Sequence, residues 1–156
     1  MRQDNRAITI LIADSNAADR SLVEQAFHEN GRGHALVFVQ DGMELFQYLR
    51  QKGRYAEPGS THRPTLILLD LDLPGTDGRL VLAELKADAE LRSIPVVVLT
   101  HSCDEEDILF AYQLGAAGFI VKPTELNDLT EVVKVLSQYW FDVVELSSGE
   151  RVITGK

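Results

Sequence analysis

The sequence predicts an α/β protein with a doubly wound, five-stranded parallel sheet and helices on both faces. Five short apolar segments alternate along the 156 residues with segments whose apolar residues recur at helical spacing. The apolar segments are mostly unbroken rather than alternating with polar residues, which is typical of strands buried on both faces. Because each strand is followed by a connection long enough for a helix, we expect parallel strands joined by right-handed crossovers.

The strands are predicted where an apolar run ends in a polar residue or a turn signal. They cover residues 8–13, 35–39, 65–71, 95–100 and 118–121. The third is the most informative, since its apolar run leads directly into Asp70 and is followed by Pro74-Gly75 and Asp77-Gly78, which break the chain.

The helices are predicted from apolar residues three and four positions apart and from the capping residues before them. Ser15 or Asn16 is expected to cap the first helix, Asp77 the third, and Thr124 the fifth, which extends to about residue 140. The second helix is predicted from its apolar residues Met43, Leu45, Phe46 and Leu49. The third is expected to have Leu80, Val81, Leu82 and Leu85 on its buried side.

Composition and charge restrict the class of protein. The formal net charge of −9 argues against a nucleic-acid-binding surface, because phosphate contacts need clustered Lys and Arg. Cys103 is the single cysteine, so an internal disulfide is excluded, in agreement with a reducing compartment. The start of the chain is polar, and its first apolar stretch stops at Asp14, too early for a signal peptide or a membrane span. We therefore expect a cytoplasmic protein without a nucleic-acid or membrane partner.

Four polar residues of matching chemistry follow four of the predicted strands. Asp14, Asp70, Thr100 and Lys122 each end an apolar run, and the carboxyl ends of parallel strands lie at one edge of the sheet. Two carboxylates, a hydroxyl and an ammonium suit the transfer of a phosphoryl group to a carboxylate. One carboxylate can attack phosphorus, a divalent cation can bind between oxygens, and the ammonium can offset the transferred charge.

These residues resemble the response-regulator receiver domains of two-component signalling. The resemblance extends from residue 7 to about residue 140. Its motifs are Leu11-Ile12-Ala13-Asp14-Ser15, Leu69-Asp70-Leu71-Asp72-Leu73-Pro74-Gly75-Thr76-Asp77-Gly78, Val97-Val98-Leu99-Thr100 and Gly118-Phe119-Ile120-Val121-Lys122-Pro123. Within the family the sequence is most similar to stand-alone regulators of phytochrome-type histidine kinases. The resemblance implies the flavodoxin-like fold of receivers.

By this resemblance Asp70 is the phosphoacceptor, which takes a phosphoryl group from a sensor histidine kinase, and the similarity to phytochrome-linked regulators implies a bacteriophytochrome as that kinase. Asp14 and Asp70 would bind Mg²⁺ through their side chains and Asp72 through its backbone carbonyl. Lys122 would pair with the phosphoryl group, and Thr100 and Phe119 would form the switch that responds to it. A cis peptide is expected at Lys122-Pro123. Such a regulator is not an enzyme in the ordinary sense, and it signals to a downstream protein.

Two positions depart from the usual receiver pattern. Ala13 stands where most receivers have the first of two adjacent acidic residues, and Asp72 stands where a neutral residue is more common. We hypothesise that the Asp72 carboxylate partly restores the missing charge. The alternative is a pseudo-receiver that signals without phosphorylation.

The pair Asp70 and Asp72 also resembles the Asp-x-Asp motif of haloacid-dehalogenase-like phosphatases, in which the first Asp is the nucleophile and the second the acid–base group. That motif ends the first strand of its family, whereas two predicted strands come before it here. A phosphatase that uses Asp70 and Asp72 is therefore the alternative in which the protein would be an enzyme.

The C-terminal region predicts a contact between two copies of the chain. We expect a tail at residues 1–6, a receiver domain at residues 7–141 and an extension at residues 142–156. Tyr139, Trp140 and Phe141 form an aromatic cluster at the end of the last helix, and more apolar residues follow. An apolar surface of this kind favours a homodimer.

Overall fold

The computed structural model describes residues 8–30 and 34–140. The strands are β1 (Thr9–Ala13), β2 (Ala35–Val39), β3 (Leu66–Leu69), β4 (Val96–Thr100) and β5 (Gly118–Val121). The helices are α1 (Ala17–Glu29), α2 (Gly42–Arg50), α3 (Gly78–Ala87), α4 (Glu105–Leu114) and α5 (Leu126–Gln138), with a short 3₁₀ helix at Gly53–Tyr55. The predicted tail at residues 1–6, Phe141 and the extension at residues 142–156 lie outside the described residues.

The five strands form one parallel sheet in the order β2-β1-β3-β4-β5. The chain thus begins with the interior strand β1 and then forms the edge strand β2. It next crosses to the other side of β1, where it adds β3, β4 and β5 in turn. The order reverses beside β1, and in doubly wound sheets such a switch point opens a crevice at the carboxyl ends of the strands. The predicted doubly wound α/β fold is confirmed.

The sheet is covered by apolar helix faces on both sides. Helices α2, α3 and α4 pack on one face, where their buried side chains are Leu45, Tyr48, Val81, Leu82, Leu85 and Ala111. Helices α1 and α5 pack on the other, through Val23, Ala26, Phe27, Leu129, Val133 and Leu136. All residues of β1, β3 and β4 are buried, which is why their sequences are nearly continuous apolar runs.

Several local predictions are wrong. Leu80 is expected to be buried but is 63% exposed. In α2, Met43 is 67% exposed, while Tyr48 is buried and donates its hydroxyl to the carbonyl of His62 at 2.9 Å. Consecutive apolar residues in a helix cannot all face the sheet, because each advances about 100° around the axis. Thr124 does not cap α5, whose N-cap residue is Glu125.

The peptide bonds of the described residues are all trans, so the expected cis bond at Lys122-Pro123 is also wrong. The trans chain already directs the Lys122 side chain into the protein, where it is 1% exposed. None of the helices in the described part of the chain is long and apolar enough to cross a membrane.

Candidate functional site

The parallel sheet brings the four predicted residues to one edge. Asp14 follows β1, Asp70 follows β3, Thr100 ends β4 and Lys122 follows β5. Backbone hydrogen bonds continue the strand pairing at these positions, from Asp14 N to the carbonyl of Val39 and from Asp70 N to that of Ala13, both at 3.0 Å. The four side chains are therefore placed by the sheet itself, the most rigid part of the fold.

Lys122 lies at the centre of the cluster. Its Nζ donates to Asp14 Oδ2 at 2.6 Å, to Asp19 Oδ2 at 3.0 Å and to Asp70 Oδ2 at 3.1 Å. An ammonium has three protons, so these three carboxylates use its full donor capacity. Burial lowers the pKa of Lys122, but the hydrogen bonds and charges of its carboxylate partners outweigh burial and raise it overall. Lys122 is thus a charged residue inside the protein.

Asp70 accepts hydrogen bonds on both carboxylate oxygens. Oδ1 accepts from the Thr100 hydroxyl at 2.8 Å and from the backbone N–H of Asp72 at 3.0 Å, while Oδ2 accepts from Lys122. The side chain is 8% exposed, so these donors replace most of its hydration. Asp70 is therefore fixed in position, and a small part of its side chain remains accessible to solvent.

Asp14 is oriented by the start of α1. Its Oδ1 accepts the backbone N–H of Asn16 at 2.9 Å, and its carbonyl accepts from Arg20 Nη1 at 2.9 Å. Asn16 in turn caps α1 by accepting the N–H of Asp19. The predicted cap at Ser15 or Asn16 is therefore provided by Asn16.

Asp19 is the site residue that sequence reasoning missed. Besides Lys122, its Oδ2 contacts His101 Nε2 at 2.9 Å. Burial raises the pKa of the Asp19 carboxyl, but its bonds to Lys122 and His101 outweigh this effect and lower the pKa overall. The only sequence signal is an acidic residue in the first turn of the helix after Asp14, a position that acidic residues favour for the helix dipole alone.

The other predicted residues lie around this cluster. Phe119 pairs with Val98 across β4 and β5, is half-buried and packs against the core on the α2–α4 face. Asp72 is exposed, and no described hydrogen bond or ion pair joins its carboxylate to Lys122. The sheet thus brings Asp14, Asp70, Thr100 and Lys122 together but leaves the Asp72 side chain outside.

The loop after Asp70 is tied to α4. Asp77 caps α3, as predicted, by accepting the N–H of Arg79 at 2.8 Å. Arg79 then donates to Asp107 Oδ1 through Nε and Nη2, at 2.9 and 2.6 Å. The other oxygen of Asp107 accepts from the Ser102 hydroxyl at 2.7 Å. This network connects the loops after β3 and β4, next to Asp70 and Thr100.

The donor set fits a divalent cation. Three carboxylates surround a single ammonium, which leaves the cluster with an excess of two negative charges (three minus one). Hard oxygen ligands of this kind are those that Mg²⁺ prefers. In residues 8–30 and 34–140 no group of three or more acidic, His or Cys side chains is arranged as a ready metal cage. The predicted Mg²⁺ ligands are instead two carboxylates, those of Asp14 and Asp70, and one backbone carbonyl, that of Asp72.

Comparison with known proteins agrees with this geometry. Residues 10–134 match the family described as the response regulator receiver domain. Response regulator Rcp1 of Synechocystis sp. is 38% identical over 94% of this chain and 98% of its own. The phosphorylated cyanobacterial phytochrome response regulator RcpA has a similar structure, with 43% identity, a TM-score of 0.84 and coverage of 92% of this chain and 100% of its own.

The Mn²⁺-bound structure of Rcp1 superposes with a TM-score of 0.81 at 38% identity, over 90% of this chain and 99% of that one. The expected divalent-metal cofactor is consistent with this relative, and receivers bind Mg²⁺. The family match spans most of the sequence, and the site lies where the strands of the matched region end. The chain belongs to the response-regulator receiver family.

Proposed function

We propose that this protein is a single-domain response regulator that accepts a phosphoryl group from a sensor histidine kinase on Asp70. The observation that carries the proposal is the Asp70 carboxylate, which Thr100, Lys122 and a backbone N–H hold at the end of β3. A carboxylate held in this way can approach phosphorus without first reorganising its surroundings.

In the proposed transfer, a carboxylate oxygen of Asp70 attacks the phosphorus of a phosphohistidine on the kinase. A P–O bond forms to Asp70, the P–N bond breaks, and its electron pair returns to the histidine nitrogen. No net oxidation or reduction occurs, and the product on Asp70 is an acyl phosphate. Lys122, already 3.1 Å from Asp70 Oδ2, offsets the negative charge that arrives.

The metal site belongs to this proposal. Asp14 and Asp70 would hold Mg²⁺ through carboxylate oxygens, and Asp72 through its backbone carbonyl. When bound, Mg²⁺ neutralises charge on the phosphoryl oxygens. Asp14 is kept in place for this role by Asn16 and Arg20.

The proposed switch consists of Thr100 and Phe119. Thr100 hydrogen-bonds Asp70, so a phosphoryl group on that carboxylate replaces the bond that now fixes its hydroxyl. Phe119 lies one strand away on β5. A shift of Thr100 would change the space available to the Phe119 side chain. This change would shift the surface formed by α4, β5 and α5 between two conformations, and a downstream protein would recognise one of them. Exposed apolar side chains on that surface are Leu109, Phe110, Tyr112, Val121, Val135 and Tyr139.

Labelling with acetyl phosphate and Mg²⁺ tests the central proposal. We expect wild type to gain the mass of one phosphoryl group and Asp70→Asn to gain none. Asp128→Asn, at an exposed position in α5, is the matched control and should label like wild type. Labelling of Asp70→Asn, or none of wild type, contradicts the proposal.

Labelling, together with a kinase-binding assay and a phosphatase assay, separates the alternatives. A pseudo-receiver would take no label yet still bind its kinase. A haloacid-dehalogenase-like phosphatase would hydrolyse a generic phosphomonoester in repeated turnovers that are lost in Asp72→Asn. The family match does not favour either alternative, and receivers are signalling proteins rather than classical enzymes. We infer that this chain is not a phosphatase.

A phytochrome-type kinase is the partner that similarity to RcpA supports. Phosphotransfer from a purified bacteriophytochrome kinase to this chain should be faster than from a histidine kinase without that photosensory region. Equal rates would contradict the assignment. A cytoplasmic location is part of this proposal, and it rests on the single cysteine, which excludes an internal disulfide.

We also propose that the receiver domain covers residues 7–141 and is followed by an extension at residues 142–156. The last helix of the domain and this extension would together form the contact of a homodimer. An apolar groove of about 490 Å³ lies between β5 and α5, lined by Ile120, Val135, Leu136, Tyr139 and Trp140 among others. Val135 and Tyr139 are 60% and 53% exposed. Apolar surface next to more apolar sequence is suited to a second copy of the same surface.

Light scattering tests the dimer. We expect twice the monomer mass for wild type and the monomer mass for Val135→Glu or for a chain that ends at Tyr139. Lys134→Glu, an exposed neighbour in α5, is the control and should stay dimeric. A monomeric wild type, or an unchanged mass in the variants, contradicts the proposed contact.

A further inference from the structure

Asp19 is joined to the site by two hydrogen bonds. Its Oδ2 lies 3.0 Å from Lys122 Nζ and 2.9 Å from His101 Nε2, and its side chain is 15% exposed. It is therefore a third carboxylate of the Lys122 cluster, contributed by a helix rather than by a strand end.

The start of α1 explains why Asp19 points to Lys122. Asp19 is the third residue of α1 after the N-cap Asn16, a position from which an acidic side chain commonly turns back to the N–H of the N-cap residue. Here the N–H of Asn16 already donates to Asp14 Oδ1. The Asp19 carboxylate is thereby left free to reach across to Lys122.

Ala13 cannot provide the acidic charge that Asp19 provides. Its side chain is 1% exposed and lies in the apolar cluster with Leu45 and Tyr48. Asp72, the other candidate for this role, is exposed and has no described contact with Lys122. Asp19 is therefore the acidic residue, besides Asp14 and Asp70, that the described contacts join to Lys122.

We propose that Asp19 is a positioning residue that holds Lys122 when Asp14 and Asp70 bind a divalent cation, and that it restores the acidic charge missing at Ala13. This inference rests on the proposed function of the site. Lys122 now uses Asp14 Oδ2 and Asp70 Oδ2, the carboxylates proposed to bind Mg²⁺. Asp19 offers the ammonium a partner that remains when those oxygens turn to the metal.

Loss of Asp19 should weaken metal binding in two ways. The cluster would lose one of its negative charges, and Lys122 would depend entirely on Asp14 and Asp70, in direct competition with the cation. One unit charge removed a few ångströms from a divalent ion corresponds to a loss of affinity of about tenfold or more, even in a largely water-like dielectric.

Calorimetric titration of the full chain with MgCl₂ tests the inference without phosphorylation. We expect Asp19→Asn to bind Mg²⁺ about tenfold more weakly than wild type and Asp19→Glu to recover most of that loss. Asp128→Asn is the matched control, because Asp128 occupies the same third position after the N-cap in α5 but is exposed, and none of the described hydrogen bonds or ion pairs joins it to Lys122, Asp14 or Asp70. It should bind like wild type.

Two results would overturn the inference. One is Asp19→Asn binding Mg²⁺ as tightly as Asp128→Asn. The other is a tenfold loss in Asp72→Asn with none in Asp19→Asn, which would assign the compensation to Asp72. Urea unfolding of each variant shows whether the fold is intact. Failure of the proposed function is distinct, since it would appear as absent Asp70-dependent labelling of wild type whatever the Mg²⁺ affinities.

Discussion

The hydroxyl of Thr100 donates a 2.8 Å hydrogen bond to Asp70 Oδ1, and Thr100 is completely buried. The bond joins the carboxyl ends of neighbouring strands β3 and β4. It makes the position of Thr100 depend on the chemical state of Asp70, which is the relationship that a phosphorylation switch requires.

Replacement of Thr100 by valine should destabilise the protein. Valine keeps the shape but removes the donor, so Asp70 Oδ1 keeps only the Asp72 N–H. We expect the free energy of unfolding to fall by about 1–3 kcal/mol, the usual cost of an unsatisfied buried polar group. Thr100→Ser retains the hydroxyl and should lose less. Urea unfolding measures both, and a larger loss in Thr100→Ser than in Thr100→Val would show that the methyl group rather than the hydroxyl matters.

Replacement of Lys122 by methionine should make the fold dependent on metal. The change leaves three carboxylates without their shared ammonium, and breaking a buried ion pair in this way costs about 3–5 kcal/mol. Mg²⁺ no longer has to displace an ammonium, so it should raise the melting temperature of the variant more than that of wild type.

Thermal unfolding with and without MgCl₂ measures this difference. Lys134→Met, on the exposed side of α5, is the control and should respond to Mg²⁺ like wild type. A Lys122→Met variant that Mg²⁺ does not stabilise would argue against a cation site at Asp14 and Asp70.

Gly78 is a position where a single methyl group should disturb the site. A Cβ there would lie 2.5 Å from Leu71 Cα and 2.6 Å from the carbonyl oxygen of Asp70, both of them backbone atoms that cannot move independently. We expect Gly78→Ala to cost about 1–3 kcal/mol of stability, as is typical of overpacking, and to reduce labelling at Asp70.

Gly118 provides the matched glycine control. A Cβ at Gly118 would meet only the Val97 methyl groups, at 3.6 and 3.7 Å, which is ordinary van der Waals contact. Gly118→Ala should therefore change stability little. If urea unfolding shows similar losses for both variants, the close approach of α3 to Asp70 is not the cause.

Asp107 should contribute stability that depends on pH. Hydrogen bonds from Ser102 and Arg79 lower the pKa of its carboxyl below 3.8. Since the pKa is lower in the folded protein than in the unfolded chain, this contribution is present above the unfolded pKa and is lost as the pH falls through the folded pKa. Asp107→Asn should therefore be less stable than wild type at neutral pH, by about 0.5–1.5 kcal/mol.

Urea unfolding at neutral pH and at about pH 3 tests the sign of this effect. The difference between wild type and Asp107→Asn should shrink at the lower pH. Glu106→Gln, exposed in the same turn of α4, should show a smaller difference at either pH. A difference that grows on acidification would contradict the assignment.

The site residues at the strand ends could be predicted because the carboxyl ends of all strands in a parallel sheet lie at the same edge. Asp14, Asp70, Thr100 and Lys122 each follow a buried strand, so sequence position alone fixes the edge to which each belongs. Asp19 could not be predicted in the same way. Its direction depends on the N–H of Asn16 being occupied by Asp14, which is a feature of the folded chain.

The errors in the helices have a related cause. Leu80 belongs to a run of three apolar residues in α3, and the run does not indicate which of them faces the sheet. The structure turns Val81 and Leu82 inward and leaves Leu80 exposed. In the same way Tyr48, with its polar tip, was not expected in the core, and only its contact with the carbonyl of His62 explains its place there.

The bond between Lys122 and Asp14 connects residues 108 positions apart, which follow the last and the first strand of the chain. During synthesis β5 leaves the ribosome after every other strand, so the acidic residues of the pocket exist for a time without their ammonium. A chain in that state lacks the ammonium proposed to offset the charge of a phosphoryl group on Asp70. The proposed phosphorylation chemistry therefore needs the residues that come both before and after the rest of the sheet.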